Sequence, residues 1–119
     1  MKKFENLQIL SEILNQHVDE LEKATRYLIA QIKNGNLASV SASGTPYLKM
    51  FGQVLGGHYM GKATVFATKK FEEDKDEFYK NKITLSKFYI EQLLPLSTSY
   101  LPSIFLGNDN LYSIGSDRL

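Results

Sequence analysis

The chain has 119 residues, of which 43% are hydrophobic and 23% charged, with a net charge of +1 and no cysteine. This length and composition are typical of one globular domain, here residues 1–119, and the small net charge gives no electrostatic reason to expect nucleic acid or an anionic membrane as a partner. The lack of cysteine excludes disulfides, thiolate metal sites and cysteine nucleophiles.

The first ten residues, MKKFENLQIL, carry two lysines, as a signal peptide does. Polar residues among them, however, interrupt the apolar core that a signal peptide needs. No apolar run reaches the roughly 18 residues that a transmembrane helix requires. We therefore expect a cytoplasmic protein with no membrane span.

The first predicted element is an amphipathic helix from Phe4 to about Lys33, because apolar residues recur at steps of three and four or at their sums. The apolar positions are Leu7, Leu10, Leu14, Val18 or Leu21, Leu28 and Ile32. Lys33 suits the negative end of the helix dipole, and Gly35 can adopt the left-handed conformation of a C-cap. The segment 36–44, NLASVSASG, is small and polar without a period, so it predicts a connecting loop.

Thr45 and Pro46 predict the start of a second helix, since threonine caps helices well and proline is tolerated at the first helical position. The helix is expected to run to about Thr68. Its apolar positions are Leu48, Phe51, Val54 or Leu55, Tyr59, and Val65 or Phe66. The segment 69–77, KKFEEDKDE, predicts a solvated turn, because its alternating charges break the apolar pattern. Residues 72–77 lack the glycine and the alternating oxygen ligands of a calcium loop.

A third helix is predicted to begin near Asp76, whose carboxylate suits a helix N-terminus. It carries apolar residues on two sides, so we expect it to be the most buried helix. Pro95 kinks or ends it, and LSTSYLPSIFL predicts a shorter fourth helix with Gly107 as its stop. Three apolar side chains are expected to hold the tail that follows: Leu111, Tyr112 and Ile114. These elements favour an all-α fold, an antiparallel four-helix bundle with a short C-terminal tail.

The second helix contains four glycines, Gly52, Gly56, Gly57 and Gly61. GGHYMGKA fits most of a phosphate-binding loop, but Ala63 replaces the hydroxyl residue of that motif and no strand precedes it. The glycine spacing also occurs between membrane helices, but interspersed polar residues leave no apolar span. A glycine inside a helix costs about 1 kcal/mol relative to alanine. We therefore expect these glycines, with His58 beside them, to form a close-packing face against another helix or a partner.

No catalytic, cofactor-binding or metal-binding residue is predicted. His17 lies on the apolar line of the first helix, which favours a half-buried structural histidine, and no nucleophile-elbow sequence occurs. A weaker hypothesis places an anion, such as a coenzyme A phosphate, at the predicted start of the second helix. The residues concerned are Ser41, Ser43 and Thr45.

Three segments resemble a known family. TPYLKMFGQVLGGHYMGKA, FYKNKITLSKFYIEQLLPLSTSYLPSI and GNDNLYSI are similar, in that order, to the extra C-terminal helical domain of one branch of flavin-dependent acyl-CoA dehydrogenases. That branch includes enzymes acting on methylthio-propionyl-CoA. The similarity covers nearly the whole chain and is most specific over residues 45–66 and 78–95.

The resemblance implies a parent protein that uses FAD to remove two hydrogens from the α and β carbons of an acyl-CoA thioester. In that family the catalytic glutamate, the flavin contacts and most of the acyl-CoA pocket belong to earlier domains, so no catalytic residue is assigned here. The implied role is structural, with the preceding domains or their subunits as partners and no cofactor bound by this chain. The alternative is an independent helical module that binds a partner protein through the glycine face 52–61. Self-association remains open.

Overall fold

The computed structural model describes residues 2–109 and 113–114, with side chains from residue 7 onward. Every regular element in these residues is helical, which confirms the all-α prediction. Helix α1 spans Lys2–Lys33 and helix α2 spans Leu37–Asp74. A third helical run comprises α3 (Glu77–Phe88), a π-helical turn (Tyr89–Leu93), a 3₁₀ segment (Leu94–Tyr100) and α4 (Leu101–Leu106).

The predicted third and fourth helices form one continuous helical run. The residues that join its segments all keep right-handed helical backbone angles: Tyr89, Leu94 and Leu101. Pro95 does not end the run, because it lies in the first positions of the 3₁₀ segment, where a missing N–H costs little. The described residues therefore contain three long helical bodies rather than four separate helices.

Helix α2 contacts α1 and every segment of the third run. A Cβ built on Gly61 would lie 3.2 Å from Leu14 Cδ2, while further along α1 the Thr25 hydroxyl lies 2.7 Å from the Tyr47 hydroxyl. Later residues of α1 thus meet earlier residues of α2.

The predicted loop over 36–44 is wrong, because α2 already begins at Leu37. Ser43 lies inside this helix and is fully buried. Its hydroxyl donates to the backbone carbonyl of Ile104 at 2.7 Å. The small side chains of this segment let α2 lie close to α4, and for the same reason they lack the apolar period by which a helix is recognised.

Two further expectations fail with that loop. Thr45 and Pro46 lie within α2 and do not start it. The hypothetical anion site at Ser41, Ser43 and Thr45 needed free amides at a helix N-terminus, and α2 instead begins after Asn36. That site is therefore not formed.

The helix ends agree better with the sequence. Gly35 and Gly107 both have positive φ angles, of 79° and 53°, and follow the ends of α1 and α4 as predicted. Asp76 is the N-cap of α3, and its carboxylate accepts a hydrogen bond of 2.9 Å from the Phe78 amide. Helix α2, however, continues beyond the predicted end at Thr68.

Burial differs from the prediction in two places. The predicted third helix, which ends by Leu94, is buried on one side only: Ile90 and Leu94 are buried, whereas Phe78 is 65% exposed. The side chain of Ile114 is 58% exposed and so does not anchor the tail. Leu111 and Tyr112 lie outside the described residues.

The described part of the protein is long and thin, with principal extents of 65 × 30 × 17 Å. Its radius of gyration is 18.9 Å, whereas a compact domain of this length has about 13 to 14 Å. The buried hydrophobic core comprises Leu10, Ala24, Leu28, Met50, Val54, Ile90, Leu94 and Ile104. A body so thin covers each helix from one side, which leaves large apolar side chains exposed on the other.

Candidate functional site

Three of the four predicted glycines lie against side chains of their own chain. A Cβ built on Gly57 would lie 3.0 Å from Leu94 Cδ2 and 3.3 Å from Leu14 Cδ1. Gly61 likewise faces Leu14. These distances are tighter than ordinary van der Waals contact, so the absence of a side chain at these positions lets α1 and the third helical run approach α2.

Gly56 makes room for a tyrosine hydroxyl. A Cβ at this position would lie 2.5 Å from the hydroxyl oxygen of Tyr89, which donates a hydrogen bond of 2.8 Å to the backbone carbonyl of Gln53. Burial raises the pKa of Tyr89 above its usual 10.0, because desolvation disfavours the phenolate. The neutral hydroxyl therefore remains a donor and ties the π-helical turn to α2.

The other members of the predicted face point outward. A Cβ on Gly52 would meet nothing within 4 Å. His58 is exposed, and its ring packs edge-on against that of Tyr59, with 5.6 Å between the ring centres. The glycine face is thus divided between internal packing and an open surface.

The open surface around Gly52 is an apolar stripe along α2. We call it the α2 stripe; it consists of Leu48, Phe51, Leu55 and Tyr59. Steps of three and four residues place these side chains on one face of the helix. They are between 41% and 69% exposed, whereas Met50, Val54 and Gly57 on the opposite face are buried.

The sequence predicts these residues as one apolar line of the second helix, with Val54 as an alternative to Leu55. Both sides of α2 are apolar, so periodicity alone could not tell which side would be covered. The glycines are the sequence signal that marks the buried side of α2, because Gly57 and Gly61 lie on that side together with Thr64.

A buried polar cluster joins α1 to the 3₁₀ segment. His17 is 3% exposed, and its Nδ1 lies 3.1 Å from Glu20 Oε2, with the hydroxyls of Ser97 and Thr98 at 3.4 and 3.3 Å. The Thr98 hydroxyl donates to the same carboxylate oxygen at 2.6 Å. His17 is more deeply buried than the sequence predicted, and its role here is structural, because it is enclosed between two helical bodies.

The described residues offer no group of three or more histidine, cysteine or acidic side chains placed to hold a metal ion. Among the helices of that same part of the chain, none has the length and hydropathy to cross a membrane. The described residues do present an exposed apolar helix face, the α2 stripe.

These features define an all-helical domain with a glycine-mediated internal interface and an exposed apolar helix face. The family model described as Acetyl-CoA dehydrogenase C-terminal like matches residues 1–114, and the chain belongs to this family. Neither the comparison with curated proteins nor the comparison with solved structures found a match.

Proposed function

We propose that this chain is a non-catalytic C-terminal domain of an acyl-CoA dehydrogenase-like flavoprotein, and that the α2 stripe packs against another domain or subunit of that protein. In this proposal the preceding domains hold FAD and oxidise an acyl-CoA thioester, methylthio-propionyl-CoA or a related short acyl-CoA, in the cytoplasm. The family match over residues 1–114 supports the domain assignment. The stripe supports the assembly role.

The side chains of the stripe leave a continuous apolar area exposed. Leu48 is 69% exposed and Tyr59 61%, and an aromatic side chain buries about 150 to 250 Å² when covered. With Phe51 and Leu55, the stripe leaves roughly 400 Å² of apolar surface open, which is the size of the largest patch on a typical monomer, and such patches are often functional. Covering each side chain fully is worth about 1.5–3 kcal/mol, so covering the exposed halves favours association by several kcal/mol.

Gly52 gives the stripe a place for close approach. A glycine inside a helix costs about 1 kcal/mol relative to alanine, and at Gly56, Gly57 and Gly61 contacts with the same chain offset that cost. No such contact exists at Gly52. A partner helix or loop lying across the stripe at this position would supply it.

The alternative is an independent interaction module that uses the glycine face 52–61. Most of that face is occupied internally by Leu14, Tyr89 and Leu94. Only its outer part, Gly52 and His58 beside the α2 stripe, is open to a partner. The two functions therefore share one surface and differ in what covers it.

A co-elution experiment tests the proposal. The chain is mixed with the flavin-binding domains that the proposal assigns to the same protein, and the complex is followed by size-exclusion chromatography and flavin absorbance near 450 nm. We expect the chain alone to be colourless and the mixture to co-elute with flavin. Leu55→Gln with Tyr59→Gln should abolish co-elution, whereas Leu85→Gln, at an exposed leucine on α3 outside the stripe, should not.

Three results would contradict the proposal. They are a stoichiometric flavin spectrum from the chain alone, dehydrogenation of acyl-CoA without added protein, and no association with the flavin-binding domains under any condition in which both are folded. Binding of the chain to an unrelated protein through the same stripe, without binding to the flavoprotein, would favour the alternative.

A further inference from the structure

A groove separate from the α2 stripe runs between the N-terminal part of α1 and the C-terminal half of α2, with a volume of about 470 Å³. Leu7, Leu10 and Leu14 form its α1 wall, and Val65 and Phe66 contribute to its α2 wall. The volume falls within the range of about 300–1,000 Å³ found for small-molecule sites.

Gly61 and Ile90 also line the groove. Gly61 contributes no side chain, and even a methyl group there would press against Leu14, with 3.2 Å between the two carbons. Ile90, from the third helical run, is fully buried. The groove is therefore a trough with apolar walls and an apolar base.

Cationic and titratable side chains follow the α2 side of this trough. His58, Lys62 and Lys69 line it, and their spacing of four and seven residues places them on one side of the helix. Among its described lining residues there is no carboxylate. Lys62 and Lys69 form no ion pair within the described part of the chain.

We infer that this groove binds a single aliphatic chain that ends in a carboxylate. The apolar walls disfavour a wholly polar ligand, because burying unpaired polar groups is costly, and lysines with no carboxylate among the described lining residues favour an anion. From His58 to Lys69 the helix rises about 16 Å, so the trough has the length of an extended chain rather than of a compact ring.

Binding of sodium dodecanoate below its micelle concentration, measured by isothermal titration calorimetry on the full chain, tests the inference. We expect one dodecanoate per chain and binding at least tenfold weaker for dodecyltrimethylammonium, which has the same tail and the opposite charge. Lys62→Gln with Lys69→Gln should weaken dodecanoate binding about five- to tenfold, as expected for two partly exposed charge contacts. Lys33→Gln with Lys49→Gln, which removes the same charge outside the groove, should change it less than twofold.

A blocking variant tests the trough itself. Ser11 is exposed and lines the groove, so Ser11→Trp should fill it and weaken dodecanoate binding at least tenfold while circular dichroism shows the helical fold intact. If Ser11→Trp fails to fold, the lysine variants still decide. Equal binding of the cationic tail, an equal loss in the Lys33/Lys49 control, or binding to anionic vesicles without binding of monomeric dodecanoate would overturn the inference.

Discussion

Substituting alanine at two glycines of α2 separates internal packing from helix propensity. Gly52 and Gly57 both lie inside α2, so each gains about 1 kcal/mol of helix propensity on substitution by alanine. At Gly52 the new methyl group meets nothing within 4 Å. Gly52→Ala should therefore raise the free energy of unfolding by about 1 kcal/mol, or the melting temperature by about 4 °C for a chain of this length.

At Gly57 the methyl group meets a filled space. It would lie 3.0 and 3.2 Å from the two terminal methyl carbons of Leu94 and 3.3 Å from Leu14. Leu94 is fully buried and cannot move into solvent. Overpacking of this kind costs about 1–3 kcal/mol, so Gly57→Ala should be neutral or destabilising by up to about 2 kcal/mol after the propensity gain is included.

The assay is urea unfolding of both variants and the unmodified chain, followed by circular dichroism at 222 nm. The propensity term is common to both substitutions, so the difference between their free energies of unfolding isolates the steric term. We expect Gly57→Ala to be less stable than Gly52→Ala by about 1–3 kcal/mol. Equal stabilisation by both substitutions would refute the argument that the inner glycines bring the helices together.

Three more predictions concern single groups. His17→Ala should lower the free energy of unfolding by about 2 kcal/mol, because it leaves a cavity and removes the donor to Glu20. Gln16→Ala, at an exposed neighbouring position, should leave it unchanged, and urea unfolding of both variants measures the difference. The pKa of Tyr89 is raised in the folded state, so its contribution to stability is complete below pH 10 and is lost as the pH rises through the folded-state pKa. Tyr89→Phe should therefore flatten the fall in the free energy of unfolding above pH 10, measured by urea unfolding at each pH. An unchanged slope would contradict this prediction. Asp76→Ala removes the N-cap of α3 and should cost about 1 kcal/mol in thermal unfolding, whereas an unchanged melting temperature would show that the cap adds nothing.

The sequence predicted best those features that depend on local chemistry. Gly35 and Gly107 follow helix ends because a positive φ is accessible to glycine. Asp76 caps α3 because its short carboxylate reaches an amide two residues on. Such signals act within a few residues, so they can be recognised without knowledge of the fold.

Features that depend on tertiary contacts were not predictable in the same way. The segment 36–44 is helical because Ser43 and its small neighbours pack under α4, and the sequence of the segment does not show that contact. The choice of buried face in α2 had the same difficulty, since Leu55 and Val54 are both apolar neighbours but only Val54 is buried. The α2 stripe is consequently a finding of the structure, although its residues were recognised as one helical line.

Site-specific labelling measures most directly whether another part of the proposed flavoprotein covers the α2 stripe. The chain contains no cysteine, so Leu55→Cys in the stripe and Val18→Cys on exposed α1 introduce matched single thiols at positions 41% and 40% exposed. Maleimide labelling is quantified by peptide mass spectrometry, for the isolated chain and for its complex with the flavin-binding domains. We predict equal labelling of both sites in the isolated chain, and protection of Leu55→Cys alone in the complex. Full labelling of Leu55→Cys in an intact complex would contradict the account.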